Sequence, residues 1–210
     1  MSTGGRAMRL WVLVGDDAHT TVFSVLQFLG LGRDRIVRVA TDAQGCIDIR
    51  AFAAAMNQGS GPVIAIAQAG QINTGGFDPV AAMAPIMRAQ NGWLHVDGAF
   101  GLWARACPQT APLAAGLELA DSWATDGHKW LQTPYDCGYA IVRDELAHRR
   151  AMTIAASFLP VTATGERDAI NIYGEDYVAA ALSKKIGRPV KWIEDRSEAF
   201  MATIHGRDIL

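Results

Sequence analysis

Residues 63–97 read VIAIAQAGQINTGGFDPVAAMAPIMRAQNGWLHVD, and this stretch decides the fold class. It opens on the short apolar run Val63–Ala67, which reads as a buried strand. A helical pattern follows, with Val80, Met83, Ala84 and Met87 at i, i+3, i+4 and i+7, one stripe that must be buried against something. Asp78 stands where an N-cap carboxylate would accept orphan backbone N–H groups. Pro79 stands at the first helical position, where no hydrogen bond is lost. The run Trp93–Val96 then reads as a second buried strand.

The same alternation extends outward in both directions. Leu10–Val14, Ile36–Val39 and Tyr139–Val142 read as further buried strands. Val22, Val25, Leu26 and Leu29 repeat the helical spacing, as do Ile49, Phe52, Ala53 and Met56, the latter set preceded by Asp48 as N-cap. Strand–helix–strand alternation predicts an α/β fold: a mostly parallel sheet with helices on both faces, right-handed crossovers, and ligands at the carboxyl ends of the strands.

The bulk numbers agree with a folded enzyme-sized unit. Half of the 210 residues are hydrophobic, enough for a core. The formal charge of -2, with acids and bases intermixed, gives no electrostatic case for nucleic acid or an anionic membrane. Cys46, Cys107 and Cys137 are too few and too scattered for a disulfide framework or a zinc site, so a reducing compartment is expected and no metal ligand set is assigned. The run Leu10–Val14 is too short for a signal-peptide core or a membrane span. A cytoplasmic location is the expectation.

Three segments, two of them past strand ends, hold residues suited to chemistry. Asp97 follows Trp93-Leu94-His95-Val96 and precedes Gly98-Ala99-Phe100-Gly101. A carboxylate there can meet a flat ligand, or it can simply cap a turn. Lys129 lies in Ser122-Trp123-Ala124-Thr125-Asp126-Gly127-His128-Lys129-Trp130, between His and Trp in a nearly uncharged stretch. A crowded lysine suits imine chemistry, whereas a lone lysine ordinarily snorkels at a strand end. Gly15-Asp16-Asp17-Ala18-His19-Thr20 offers His19, which alone would be no more than a helix cap or a core histidine.

Together Asp16-Asp17-Ala18-His19, His95-Val96-Asp97-Gly98-Ala99 and Asp126-Gly127-His128-Lys129-Trp130 resemble the group II pyridoxal-phosphate-dependent amino-acid decarboxylases. Ala69-Gly70-Gln71-Ile72-Asn73-Thr74-Gly75-Gly76-Phe77-Asp78 and Pro134-Tyr135-Asp136-Cys137-Gly138 fit the same family in the same order, from about residue 8 to about residue 168. The resemblance implies a three-layer, fold type I large domain and pyridoxal 5'-phosphate as cofactor. It also implies an L-amino acid as substrate, released as amine and carbon dioxide, and a homodimer. By the same resemblance Lys129 forms the Schiff base, Asp97 pairs with the pyridine nitrogen, Ala99 packs on one ring face and His19 stacks on the other. His128 helps hold the cofactor, and Asn73, Thr74, Thr125 and Asp126 line its edges. Catalysis would rest on Lys129, Asp97 and His19.

Two departures accompany the resemblance. The family's Ser/Gly-rich phosphate-binding segment lies upstream of the stretch matched, so the cofactor domain, residues 1–170, is expected to be incomplete at both ends. Beyond it, apolar periodicity lapses from Thr162 to Asp168, and a new helix pattern begins near Glu175 and stops at Gly187 and Pro189. Residues 172–210 resemble an internal piece of the molybdenum-cofactor subunit of the xanthine dehydrogenase and carbon-monoxide dehydrogenase family. They carry none of that family's Gly-rich or glutamate-bearing active-site segments, so a molybdenum hydroxylase is disfavoured and 171–210 is expected to be an appendage. An aminotransferase or desulfurase on the same fold, and an inactive fused fragment, remain the alternatives to a decarboxylase.

Overall fold

A computed structural model describes residues 10–32 and 34–152. The expected boundary near residue 170, the helix near Glu175 and the appendage 171–210 lie outside the described residues. The described residues fall into two compact units, one up to Ile141 and one from Val142. In the second unit the described part is helix α4 (Glu145–Met152), with Asp144 accepting from the Ala147 N–H at 2.9 Å as its cap.

The first unit is built on a six-stranded sheet. In chain order come β1 (Trp11–Gly15), α1 (Thr20–Phe28), β2 (Ile36–Val39), α2 (Ile49–Met56), β3 (Val63–Gln68), α3 (Val80–Ala89), β4 (Trp93–Asp97), β5 (Ser122–Asp126) and β6 (Gly138–Val142). Three short 3₁₀ turns fill the connection between β4 and β5. The strands lie in the order β2-β1-β3-β4-β5-β6, and the four pairings from β2 to β5 are parallel. All five of those strands therefore end at one edge. The chain reverses direction across the sheet between β1 and β3, the place where such sheets open a crevice at the carboxyl ends.

The core explains why these elements form. On one face α2 and α3 bring Phe52, Met56, Met83 and Met87 against Leu13, Ala65, Leu94, Val96 and Trp123 of the sheet. On the other face α1 sets Leu26 against Val12, Val14 and Ile66. Helices thus cover both faces, as the periodicity predicts.

Four details differ from the sequence reading. First, β5 is a strand that the polar-looking stretch Ser122–Asp126 hides. It pairs with β4 with Asp97 opposite Ala124 and extends the parallel array. Second, β4 is not uniformly buried: Leu94 and Val96 are, whereas Trp93, His95 and Asp97 alternate with them toward the other, partly open face. β6 is likewise largely exposed apart from Ile141. Third, the α1 stripe is only partly covered. Leu26 is 5% exposed, while Val25 and Leu29 are 51% and 67% exposed, because the helix overlies β1 and their flank borders a cleft.

Fourth, Asp48 caps α2 by accepting from the Arg50 and Ala51 N–H groups, but Asp78 does not cap α3. Pro79 takes the cap position. The buried Asp78 carboxylate turns inward instead, accepting from the Ile47 N–H at 2.7 Å and the Gln68 N–H at 2.6 Å. Two buried donors outcompete a solvated helix end for one carboxylate. Burial pushes the Asp78 carboxyl up to about 6, against the opposite pull of those two hydrogen bonds.

Candidate functional site

The shared carboxyl edge of the parallel strands gathers the predicted residues. Asp97 is the last residue of β4. Asp126 ends β5, with His128 and Lys129 in the turn just beyond, and His19 lies past the end of β1. A cleft of about 910 Å³ opens there and runs back over the exposed face of β3, β4 and β5. His19, Asp97, Ala99, Thr125, Asp126, His128 and Lys129 all line it. Asn73 and Thr74 do not. They sit in an exposed turn whose N–H groups donate to Gln71 Oε1 at 2.6 and 3.0 Å, with the Thr74 hydroxyl donating to the Gln44 carbonyl at 2.6 Å.

Each lining side chain has a local reason for its place. Asp97 Oδ1 accepts from the Ala99 N–H at 3.1 Å, so the turn reading of this carboxylate holds, with the rest of the group left to the cleft. The backbone behind it is tightly fixed. Ala69 donates to the Asp97 carbonyl at 2.8 Å, and Gly101 donates to the Ala69 carbonyl at 2.9 Å. A Cβ on Gly101 would stand 2.4 Å from that carbonyl, so the close approach of the two loops requires glycine.

Lys129 is neither snorkelling freely nor unpartnered. Its Nζ lies 2.7 Å from Asp126 Oδ2 and 3.9 Å from the centroid of the Phe100 ring, with 27% of the side chain exposed. His128 serves its own loop: Nδ1 accepts from the Cys137 N–H at 3.2 Å, and the ring rests on Tyr135 at 4.6 Å. His19 caps α1, its Nδ1 accepting from the Thr21 N–H at 3.4 Å. The loop before His19 is tied to β3 by the Gln68 amide, which donates to the Asp17 carbonyl at 3.2 Å.

Two features bear on ligand chemistry. Thr125 is 3% exposed and lines the cleft, and its hydroxyl has no hydrogen-bond partner among the described residues. A buried hydroxyl without a partner costs free energy unless something else satisfies it. The second feature escaped the sequence reading. His95, Ser122 and Trp93 form a polar row on the open face, with Trp93 Nε1 donating to Ser122 Oγ at 2.7 Å and His95 Nδ1 at 2.8 Å from the same oxygen. The period-2 alternation of Trp93, His95 and Asp97 was its only signal, hidden because the run reads as apolar throughout.

Comparison with known proteins places this geometry. The model of the pyridoxal-dependent decarboxylase conserved domain matches residues 6–173, and the molybdopterin cofactor-binding domain matches residues 165–210. The aromatic-L-amino-acid decarboxylase of Bacillus atrophaeus is 29% identical over 168 residues, 78% of this chain and 35% of that protein. The L-2,4-diaminobutyrate decarboxylase of Rhizobium meliloti is 34% identical over 63% of this chain and 28% of its own length. Among solved structures, that of Oryza sativa TDC with PLP and tryptamine superimposes with a TM-score of 0.70 at 28% identity, covering 79% of this chain and 36% of the other. The chain thus spans about a third of the length of the curated relatives it matches.

Proposed function

The chain belongs to the pyridoxal-dependent decarboxylase family, with a fold type I α/β architecture, and on that basis we propose that it acts on an L-amino acid as a pyridoxal-phosphate-dependent carboxy-lyase. The observation that carries the reading is the convergence of Asp97 and Lys129, from neighbouring strand ends, on one cleft beside the buried, unsatisfied Thr125 hydroxyl.

The residues present fit the cofactor. An aromatic aldehyde with a basic ring nitrogen asks for an amine at one end and a carboxylate at the other, and the cleft holds both. Lys129 would carry the covalent attachment and Asp97 would face the ring nitrogen. Ala99 and His19 would flank the ring, and Thr125 would gain a partner for its hydroxyl. Bound pyridoxal phosphate supplies an electron sink for the pair left on the α-carbon when carbon dioxide departs. Asp97 would help keep a proton on that ring nitrogen, since a carboxylate in contact favours the charged form by about 1–3 pKa units. Asp126 and the Phe100 face orient the Lys129 Nζ, and the Cys137–His128 hydrogen bond keeps the following loop folded beneath it. Asn73 and Thr74 support the Gln71 turn; a cofactor contact would require that turn to reach the cleft.

The domain boundary near residue 170 belongs to the same proposal, with residues 171–210 as a molybdopterin-domain-like appendage that adds no reaction. Homodimerisation and a cytoplasmic location are part of it too; light scattering tests the first and cell fractionation the second.

The test is direct. The purified 210-residue chain is titrated with pyridoxal phosphate, reduced with borohydride and analysed by mass spectrometry, and amine products are measured from a panel of L-amino acids. The expected result is a visible band, one cofactor mass on the Lys129 peptide, and amine release, all lost in Lys129→Ala. A band with transaminated keto acid as product would move the reading to an aminotransferase. No band at saturating cofactor would overturn it.

A further inference from the structure

We propose that Gln68 and Gln71 are positioning residues for His19: their side-chain amides grip the Asp17 carbonyl and so set where the imidazole stands in the cleft. This rests on the reading of His19 as the residue that stacks on the cofactor ring.

Gln68 and Gln71 sit where polar side chains are costly. Each is 7% exposed, and a buried amide that finds no hydrogen bond costs free energy. Both send Nε2 to one oxygen. Gln68 donates to the Asp17 carbonyl at 3.2 Å, and Gln71 donates to the same carbonyl at 3.5 Å. A carbonyl oxygen has two lone pairs and can accept both. Neither amide can be turned round. Gln71 Oε1 accepts from the Asn73 and Thr74 N–H groups at 2.6 and 3.0 Å, so its nitrogen must face the other way. Gln68 meets a carbonyl, to which only its nitrogen can donate.

The grip bears on the cleft because of what lies at its two ends. Gln68 ends β3, lines the cleft and stands in register with Asp97 of β4. Asp17 lies two residues before His19, which caps α1 and lines the cleft as well. The chain between them has little slack. The Asp16 N–H donates to the Val39 carbonyl at 2.9 Å, the Ala18 N–H donates to the Gly15 carbonyl at 3.1 Å, and the Thr41 hydroxyl donates to the Asp17 carboxylate. Holding the Asp17 carbonyl therefore holds the backbone from which His19 projects. The Thr21 hydroxyl, 2.7 Å from His19 Nδ1, then sets the rotation of the ring. By this route the turn at Asn73 and Thr74, which does not line the cleft, still acts on it. The turn aligns Gln71, Gln71 holds Asp17, and His19 follows.

Two substitutions separate this role from packing. Gln68→Met keeps the length of the side chain and removes the donor. Gln71→Glu keeps an acceptor for the Asn73 and Thr74 N–H groups and puts an oxygen in place of the donor. In the cofactor-free chain, the His19 imidazole resonance, assigned by its loss in His19→Ala, should shift and broaden in each variant. The Trp123 indole N–H, which donates to the Leu117 carbonyl at 2.8 Å, should keep its resonance and report an intact core. In the loaded chain, borohydride should still trap cofactor on Lys129, while the cofactor dissociation constant rises about three- to tenfold, the scale of one lost aromatic contact. The cycle with His19→Ala decides the matter. A residue that acts through His19 has nothing to act on once that ring is gone, so neither substitution should weaken binding further in that background. An equal loss in both backgrounds would overturn the proposal, and so would an unmoved His19 resonance. If the wild type takes up no cofactor, the carboxy-lyase reading fails on its own, and the His19 resonance still decides whether the two amides set that ring.

Discussion

Strands β3, β4 and β5 each show one row of side chains to α2 and α3 and the alternate row to the cleft, and the two rows differ in kind. Toward the helices stand Val63, Ala65, Leu94, Val96 and Trp123, each no more than 2% exposed. Toward the cleft stand Gln68, Trp93, His95, Asp97, Ser122 and Asp126 among the apolar Ile64, Ile66 and Ala124, with Trp93, Ser122 and His95 linked by hydrogen bonds. A period of two lets adjacent residues of one strand serve opposite purposes, so stability and chemistry can be altered separately. Mutations that strike only one row should show only one kind of loss.

The largest effect is expected on the cleft side. Lys129→Ala should reduce amine release to background and abolish covalent cofactor, yet change stability by no more than about 1 kcal/mol, because its ion pair with Asp126 is partly exposed. Equilibrium denaturation alongside the activity assay checks both halves. A large stability loss would mean that the pair is structural and the two rows are not separable. On the opposite face Phe52→Ala should do the reverse. Phe52 is 0% exposed at the centre of the helix-covered core, and its loss should cost about 3–5 kcal/mol. That is a large share of a typical domain's 5–15 kcal/mol. Cofactor uptake per folded molecule should stay unchanged.

Asp78 sharpens the comparison, since it is a carboxylate on the stability side. Asp78→Ala strands the Ile47 and Gln68 N–H groups. It should cost about 2–4 kcal/mol, below the sum of two orphaned donors at about 1–3 each because a desolvated charge leaves with them. The pH dependence has a definite sign. The folded carboxyl titrates near 6 against an ordinary 3.8, so its contribution is fully present below about 4 and is lost as pH rises through 6. Denaturation midpoints measured between pH 4 and 7 should fall across that window in the wild type. The slope should flatten in Asp78→Asn, and an equal slope in both would assign the titration elsewhere.

How much of this was legible in the sequence follows from the physics of each segment. The βαβ units were readable because Val63–Ala67 is a short bounded apolar run and Val80–Met87 carries a 3.6-residue period. Asp97 and His19 were readable as residues past strand ends, and Lys129 joined them through the order of motifs that carries the family resemblance. β5 was not readable: Ser122, Thr125 and Asp126 look like loop, and the strand exists because β4 supplies its hydrogen-bond partners. Asp78 was misread because a cap signature cannot reveal that Ile47 and Gln68 present two buried donors nearby. The His95 row was invisible because its meaning depends on Ser122, 27 residues away, lying opposite.

The smallest effect tests where the two regimes meet, along α1. This helix closes the sheet over β1 with Leu26, 5% exposed, and borders the cleft with its other flank, ending on Phe28, 85% exposed. Leu26→Ala removes a buried side chain and should cost about 2–3 kcal/mol, at the lower end for such changes because the cluster around it is small. Phe28→Gln exchanges an exposed ring for a residue of equal or better helix propensity and should stay within about 0.5 kcal/mol of wild type. Two residues of one turn would then differ by their burial alone. A Phe28→Gln loss as large as that of Leu26→Ala would show that Phe28 is covered in solution.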